Sequence, residues 1–94
     1  MTSGLHILQD LCPRLPTSAG VYRMLGVGGQ VLYVGKARHL RNRVSQYTQL
    51  ERLPNRLRRM VHETASLEVV ETASESEALL LEANLIKSLQ PRYN

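Results

Sequence analysis

The chain has 94 residues, a formal net charge of +4 and one cysteine. This length supports one hydrophobic core and excludes a second domain of ordinary size, and the single Cys12 excludes an internal disulfide and is typical of a reducing compartment. No apolar run reaches membrane-spanning length and no signal-peptide pattern is present, so we expect a soluble, cytoplasmic protein.

Positive charge is concentrated in the middle of the chain. Between residues 36 and 59, eight basic side chains stand against one acidic side chain, Glu51, whereas six of the eight acidic residues lie between Glu63 and Glu82. Arginines outnumber lysines ten to two, and a guanidinium group can grip two phosphate oxygens at once. The distribution indicates a polyanionic partner such as nucleic acid, although two solvated helix faces would explain it equally well.

The first third of the chain predicts a helix and a β-hairpin. A short helix is expected from residue 5 to residue 12, ended by Pro13, and residues 21–25 and 30–34 are typical of two strands around the glycine-rich turn 26–29. If those four residues form the loop, Tyr22 lies directly opposite Tyr33 on one face of the sheet. Two neighbouring phenols are then a candidate reaction centre.

The remaining segments alternate between helix and strand patterns. Helices are predicted at 39–48 and 55–64 with a polar linker between them, and a third strand at 67–72. Ser74 and Glu77 form a capping-box pattern that begins a helix running to about residue 89. The order β-β-α-α-β-α predicts an α+β domain, in which helices flank a small, mainly antiparallel three-stranded sheet.

Glu82 is a carboxylate where apolar side chains are expected. Helical spacing places it in the middle of an apolar stripe formed by Ala78, Leu79, Leu85, Ile86 and Leu89. A buried carboxylate needs a counter-charge or a metal ion. Glu82 therefore either pairs with an arginine or binds a hard cation such as Mg²⁺.

Arg43 is the corresponding cation in the helix that follows the hairpin. It lies three residues after Leu40 and four before Tyr47, on the side predicted to face inward. Arg43 and Glu82 could form a structural salt bridge, or they could flank a bound phosphate. Lys36 adds a second positive charge at the end of the hairpin, and Gly35 lets backbone approach a ligand closely.

Two triplets, Gly20-Val21-Tyr22 and Tyr33-Val34-Gly35, resemble the motif that names the GIY-YIG endonuclease family. Further matching strings follow in the family's order: LPT at 15–17, VLYVGKA at 31–37, LR at 40–41 with Arg43, ESEALLLEANLIK at 75–87 and QPRYN at 90–94. The resemblance implies a GIY-YIG nuclease domain over residues 15–94. Residues 1–14, with their short helix, are expected to be an N-terminal extension.

The resemblance also implies a chemistry and a set of roles. It implies hydrolysis of a DNA phosphodiester with one divalent metal ion, Mg²⁺ or Mn²⁺, bound by Glu82. The implied catalytic residues are Tyr22, Tyr33, Lys36, Arg43, Tyr47 and Asn94, with Tyr22 as general base and Arg43 steadying the developing negative charge. The expected DNA contacts are Gly35, Arg38, Arg41, Arg56, Arg58 and Arg59. Because a phenol is a poor base at neutral pH, nearby cations must favour the phenolate or a metal must acidify the attacking water.

Within the family, the resemblance is greatest to nucleases that cut on the 3′ side of a lesion in damaged double-stranded DNA during nucleotide excision repair. A UvrB-type loading protein is expected to act only through segments that this chain lacks, so the chain is either an excised domain or a stand-alone relative. Two alternatives are a catalytically silent DNA-binding or docking module and a structure-specific nuclease for branched DNA. The set of tyrosines, basic residues and Glu82 favours a nuclease over the silent module.

Overall fold

The computed structural model describes residues 3–94. Four helices and three strands follow one another in the chain: α1 (Gly4–Leu11), β1 (Gly20–Leu25), β2 (Val31–Ala37), α2 (Leu40–Ser45), α3 (Asn55–Glu63), β3 (Ser66–Glu71) and α4 (Glu75–Leu89). Short 3₁₀ turns occupy Cys12–Arg14, Gln46–Thr48 and Leu50–Arg52. The predicted α+β class and element order are confirmed. The helix expected at 39–48 is shorter, because its last turn tightens into a 3₁₀ turn.

The three strands form one antiparallel sheet with the order β2-β1-β3. Strand β1 is therefore central, and β2 and β3 are the two edges. No helix within residues 3–94 is long and apolar enough to cross a membrane.

The register of the hairpin differs from the predicted one. Tyr22 lies opposite Gly35, and Tyr33 lies opposite Met24, so the predicted direct opposition of the two tyrosines is wrong. Gln30 belongs to the turn rather than to the strand, and an irregularity between Met24 and Leu25 moves the register by one more residue. Because strand side chains alternate with a period of two, this shift of two residues keeps both phenols on the same face.

One face of the sheet is covered by α1, α2 and α3. Its core combines buried residues of all three helices, including Leu8, Val44 and Met60, with Tyr22 and Met24 of the central strand. Leu8 of α1 has no exposed surface, so the N-terminal helix packs into the same core. The predicted domain boundary at residue 14 stays a prediction.

Helix α4 covers the opposite face. Ala78 is buried there against Val21 and Val34, with Leu81, Leu85 and Ile86 packed around them. The predicted stripe is wrong in two members, because Leu79 and Leu89 are exposed. A narrow three-stranded sheet accepts only one stripe of the helix, and the stripe through 78, 81 and 85 is the one it covers.

The start of α4 is fixed by the predicted capping box. The Ser74 hydroxyl accepts a hydrogen bond from the Glu77 backbone N–H at 3.1 Å, and the Glu77 carboxylate accepts one from the Ala73 N–H at 2.7 Å. The helix ends at Gln90, which adopts a left-handed conformation with φ of 45°. These two ends set the axial position of Glu82 over the sheet.

Candidate active site

A cavity of about 380 Å³ opens at the β2 edge of the sheet. Side chains or backbone from both strands of the hairpin, from α2 and from α4 line it: Tyr22, Tyr33, Gly35, Lys36, Ala37, Arg38, Arg43 and Glu82. The structure thus brings together most of the predicted catalytic set, although these residues are separated by as many as 60 positions in the chain.

Three tyrosines form a cluster at one wall of this cavity. The Tyr22 and Tyr47 hydroxyl oxygens are 2.6 Å apart, and either can donate. The Tyr33 ring centroid lies 6.2 Å from that of Tyr22 and 6.3 Å from that of Tyr47. Tyr22 is fully buried and Tyr47 nearly so. Tyr47 does not line the cavity and contacts Tyr22 from the core side.

Gly35 makes room for the Tyr22 phenol. A Cβ atom at position 35 would stand 2.9 Å from Tyr22 Cε1 and closer still to its Cζ and hydroxyl oxygen. The two residues face each other directly across the hairpin. Glycine is therefore required here by the close approach of a side chain across the strand pair.

Burial governs the protonation of the tyrosine pair. Desolvation raises the pKa of the Tyr22 phenol above its usual value, and burial together with the neighbouring Tyr22 strongly raises the pKa of Tyr47. The hydrogen bond with Tyr47 and the charge of Arg43 act in the opposite direction on the pKa of Tyr22. Both phenols are therefore neutral at pH 7, and Tyr22 is the one whose anion Arg43 and the Tyr47 hydrogen bond would stabilise.

Arg43 reaches the cavity from the last turn of α2. The start of the helix is held by backbone hydrogen bonds: the N–H groups of Leu40 and Arg41 donate to the carbonyls of Ser18 and Pro16, and the Arg43 N–H donates to the His39 carbonyl. The Asn42 N–H donates to His39 Nδ1 at 3.1 Å, an imidazole cap. The Arg43 side chain is exposed rather than inward, and its guanidinium lies at the rim beside Tyr22, where it also donates to Gln46 Oε1 at 3.0 Å.

Glu82 enters the cavity from α4 on the other side of the sheet. Its side chain is half-buried, and the ion pairs within residues 3–94 join other acids: Arg14 with Asp10, Arg23 with Glu68, Arg38 with Glu75 and Arg92 with Glu63. The salt bridge with Arg43 that we considered is therefore not formed. In the described part of the chain, no cluster of three or more histidine, cysteine or acidic side chains is poised to hold a metal ion, so Glu82 is a lone carboxylate.

Asn94 lies outside the cavity and holds the strand that builds it. Its side-chain amide donates to the Val34 carbonyl and accepts from the Val34 N–H, both at 2.8 Å. The Tyr93 N–H donates to the Leu32 carbonyl at 2.8 Å. The tail thus pairs with the outer edge of β2, the strand of Tyr33 and Gly35. The resemblance implies a catalytic role for Asn94, and no local pattern in the sequence indicates this backbone role.

The predicted DNA contacts are divided between several places. Gly35 and Arg38 line the cavity, and Arg38 Nε also donates to Glu75 at 3.0 Å. Arg41 Nε donates to the Leu15 carbonyl at 2.9 Å, and Arg58 Nε donates to the Leu53 carbonyl at 2.9 Å. Arg56 and Arg59 line a separate cleft. The structure does not bring the α3 arginines into the cavity.

A small antiparallel sheet with a tyrosine, arginine and glutamate cavity at the hairpin edge defines a GIY-YIG endonuclease domain. The family model described as the UvrC-like GIY-YIG domain matches residues 18–94. The chain belongs to this family.

Full-length relatives and a solved structure agree with this assignment. The chain is 58% identical over 91 residues to UvrABC system protein C of Sphingopyxis alaskensis and 59% identical over 91 residues to that of Novosphingobium aromaticivorans. Each match covers 97% of this chain and 14% of the relative, so the chain spans a small part of their length. The GIY-YIG N-terminal endonuclease domain of UvrC from Thermotoga maritima, bound to its catalytic divalent cation magnesium, is 36% identical with a TM-score of 0.83. That match covers 93% of this chain and 94% of the other.

Proposed function

We propose that this domain hydrolyses a DNA phosphodiester in the β2-edge cavity and makes the 3′-side incision of nucleotide excision repair. The observation that carries the proposal is one cavity in which Glu82 has no ion-pair partner among residues 3–94 while Tyr22 and Arg43 stand at the same opening. An acid, a phenol and a guanidinium around one cavity suit a reaction in which negative charge develops on phosphate.

The donor set fits a single Mg²⁺ or Mn²⁺ ion. Mg²⁺ in proteins commonly takes one or two carboxylates, substrate phosphate and several waters, and Glu82 supplies one half-buried carboxylate at the wall of the cavity. When bound, such an ion would polarise the phosphate and acidify a coordinated water. The Thermotoga maritima domain, bound to its catalytic divalent cation magnesium, supports this assignment.

Tyr22 is proposed to act as the phenolate, after its own proton has passed to solvent, and to receive the proton of the attacking water at that oxygen. The Arg43 charge and the hydrogen bond with Tyr47 favour this anion by lowering the pKa of Tyr22 against the effect of burial. Tyr47 remains the donor in their shared hydrogen bond, because the pKa of its own phenol is strongly raised. That donation favours negative charge on Tyr22. Tyr33 forms the adjacent wall and orients water or phosphate.

Arg43 and Lys36 are proposed to stabilise the phosphate charge from opposite faces of β2. Lys36 lies opposite Val21, on the face that α4 covers, whereas Arg43 approaches the face of Tyr22. A scissile phosphate between them would meet positive charge on both sides. Asn94 is proposed to act indirectly, by fixing the backbone of β2.

The DNA substrate, its further contacts and the partner protein are also proposed. Damaged double-stranded DNA is the substrate, Gly35 and Arg38 contact it beside the cavity, and Arg41 and Arg58 stay predicted contacts. The curated relatives are UvrABC system proteins, which supports a role in excision repair with a UvrB-type loading protein. The cytoplasm is the proposed compartment.

Replacing Glu82 tests this function. We expect Glu82→Gln to weaken Mn²⁺ binding in calorimetry by at least about tenfold and to abolish metal-dependent nicking of a damaged duplex, because the amide lacks the charge that a hard cation requires. Glu51→Gln, an exposed acid outside the cavity, is the matched control and should behave as wild type.

Substrate comparison separates the competing functions. Cutting on the 3′ side of a lesion supports the proposal, and cutting confined to branched duplexes would indicate a structure-specific nuclease. Wild-type Mn²⁺ affinity in Glu82→Gln would refute the metal assignment. Tight duplex binding with no nicking, in a full-length protein loaded onto damage, would favour the silent module.

A further inference from the structure

A second polar cleft of about 400 Å³ lies where α3 meets the C-terminal tail. Three arginines and two other residues line it: Asn55, Arg56, Arg59, Arg92 and Tyr93. We call Arg56, Arg59 and Arg92 the arginine cleft. None of them lines the cavity that holds Glu82.

The arginine cleft is organised around the Tyr93 ring. The guanidinium carbons of Arg56 and Arg92 lie 5.5 Å and 5.3 Å from its centroid, and Arg56 Nη2 donates to the Arg92 carbonyl at 3.2 Å. Tyr93 itself is only 7% exposed, and its backbone N–H is bonded to Leu32 of β2. Stacking on a fixed ring orients the guanidinium groups in advance of any ligand.

The charge around the arginine cleft is not balanced by the described residues. Glu63 accepts from Arg92 Nη1 at 3.2 Å and from the Tyr93 hydroxyl. Within residues 3–94, the ion pairs leave Arg56 and Arg59 without a carboxylate partner. Three guanidinium groups therefore share one acid, and crowded like charges favour an anion between them.

We infer that the arginine cleft binds a backbone phosphate of the DNA duplex, away from the phosphodiester that is cut. The inference rests on the proposed function and adds a second anchoring point to it. Planar guanidinium groups bind two phosphate oxygens at once, and three of them beside one acid give the cleft the excess positive charge that a phosphate requires. Phosphate contacts position a protein without reading sequence, as a lesion-directed nuclease requires.

The structure changes which arginines are expected to act together. The charge pattern grouped Arg56, Arg58 and Arg59 on one helix, but Arg58 donates to the Leu53 carbonyl and does not line the cleft. Arg92, from the tail, takes the third position in the cleft. The cleft hypothesis therefore gives Arg92 a larger effect on DNA binding than its place near the chain end suggests.

Duplex binding without metal tests the cleft separately from catalysis. Anisotropy of a fluorescein-labelled duplex in EDTA is measured over a range of salt concentrations. We expect Arg59→Gln and Arg92→Gln each to weaken binding about fivefold and to reduce the salt slope by about 0.9, the amount for one phosphate contact. Arg14→Gln removes the same charge from an exposed arginine outside the cleft and should keep the wild-type slope.

The salt slopes distinguish a phosphate site in the arginine cleft from diffuse electrostatic attraction. Wild-type slopes for both Arg59→Gln and Arg92→Gln would overturn the inference, and so would an equal loss in Arg14→Gln, which would indicate diffuse attraction only. Arg59 makes no ion pair with a described residue, so its variant tests binding without disturbing the Glu63 contacts. Reduced slopes in the cleft variants support the site even if Glu82→Gln has refuted the proposed chemistry.

Discussion

Alanine at position 35 tests how closely β2 and the Tyr22 phenol are fitted together. The new Cβ would stand 2.9 Å from Tyr22 Cε1 and nearer to two further atoms of that phenol, distances that real Cβ atoms essentially never show. Tyr22 has no exposed surface and its hydroxyl is bonded to Tyr47 at 2.6 Å. The ring can therefore move away only by breaking that bond or by separating the strands.

The magnitude follows from these two costs. Overpacking a filled core costs about 1–3 kcal/mol, and losing a buried hydrogen bond adds roughly 1 kcal/mol. We expect Gly35→Ala to lower the free energy of unfolding by roughly 2–4 kcal/mol. For a urea m-value of about 2 kcal/mol/M, the midpoint falls by roughly 1–2 M.

Urea unfolding followed by circular dichroism measures this loss, with Gly28→Ala as the matched control. A Cβ at Gly28 would meet only the flexible end of the Gln30 side chain, at 3.1 Å, so its variant should stay within about 0.5 kcal/mol of wild type. Because the phenol is displaced, metal-dependent nicking by Gly35→Ala should also fall. A Gly35→Ala protein as stable as Gly28→Ala would refute the proposed fit.

Three further predictions concern the groups that support the site. Asn94→Ala should lower the free energy of unfolding by about 1–2 kcal/mol in urea, because two hydrogen bonds to β2 are lost; an unchanged midpoint would show that the tail does not hold the strand. His39→Ala should cost about 1 kcal/mol through loss of the α2 cap, and His39→Asn should restore most of it; equal midpoints for the two variants would contradict the capping role. Burial raises the pKa of Tyr22 and Tyr47 in the folded chain, so the unfolded chain loses these two protons at lower pH than the folded chain does. The free energy of unfolding should therefore fall above about pH 10, by up to about 1.4 kcal/mol per pH unit for each tyrosine. Urea titrations between pH 8 and 11 measure this slope, and an equally steep slope in Tyr22→Phe would contradict it.

Local signals in the sequence were sufficient to predict the helices and strands, but they did not predict which faces of these elements pack against each other. The Ser74 and Glu77 pattern predicted the start of α4 because both hydrogen bonds form within one turn. The inward stripe of α4 was not predictable in the same way, since leucines occur on several sides of this helix and Leu79 and Leu80 are exposed. Only the width and twist of the sheet decide which stripe is covered.

In the candidate site, too, the residues could be predicted from the sequence, whereas their tertiary contacts could not. Roles for Tyr22 and Glu82 came from the resemblance, and helical spacing had already singled out Glu82 as a carboxylate among apolar positions. The predicted hairpin register was wrong by two residues, and an error of two leaves Tyr33 on the same face of the sheet as Tyr22. An error of one residue would have placed Tyr33 on the face that packs against α4. The tail contacts of Asn94 and Arg92 depend on docking against distant segments, which no local pattern records.

The order of the strands explains why the cavity lies where it does. The Tyr33 side chain projects to the face of Tyr22, whereas the Lys36 side chain projects to the face that carries α4 and Glu82. A reaction centre that needs groups from both faces can form only where a ligand reaches around the end of the sheet, and β2 is an edge strand. Gly35, which has no side chain, lies on that edge and lines the cavity together with groups from both faces.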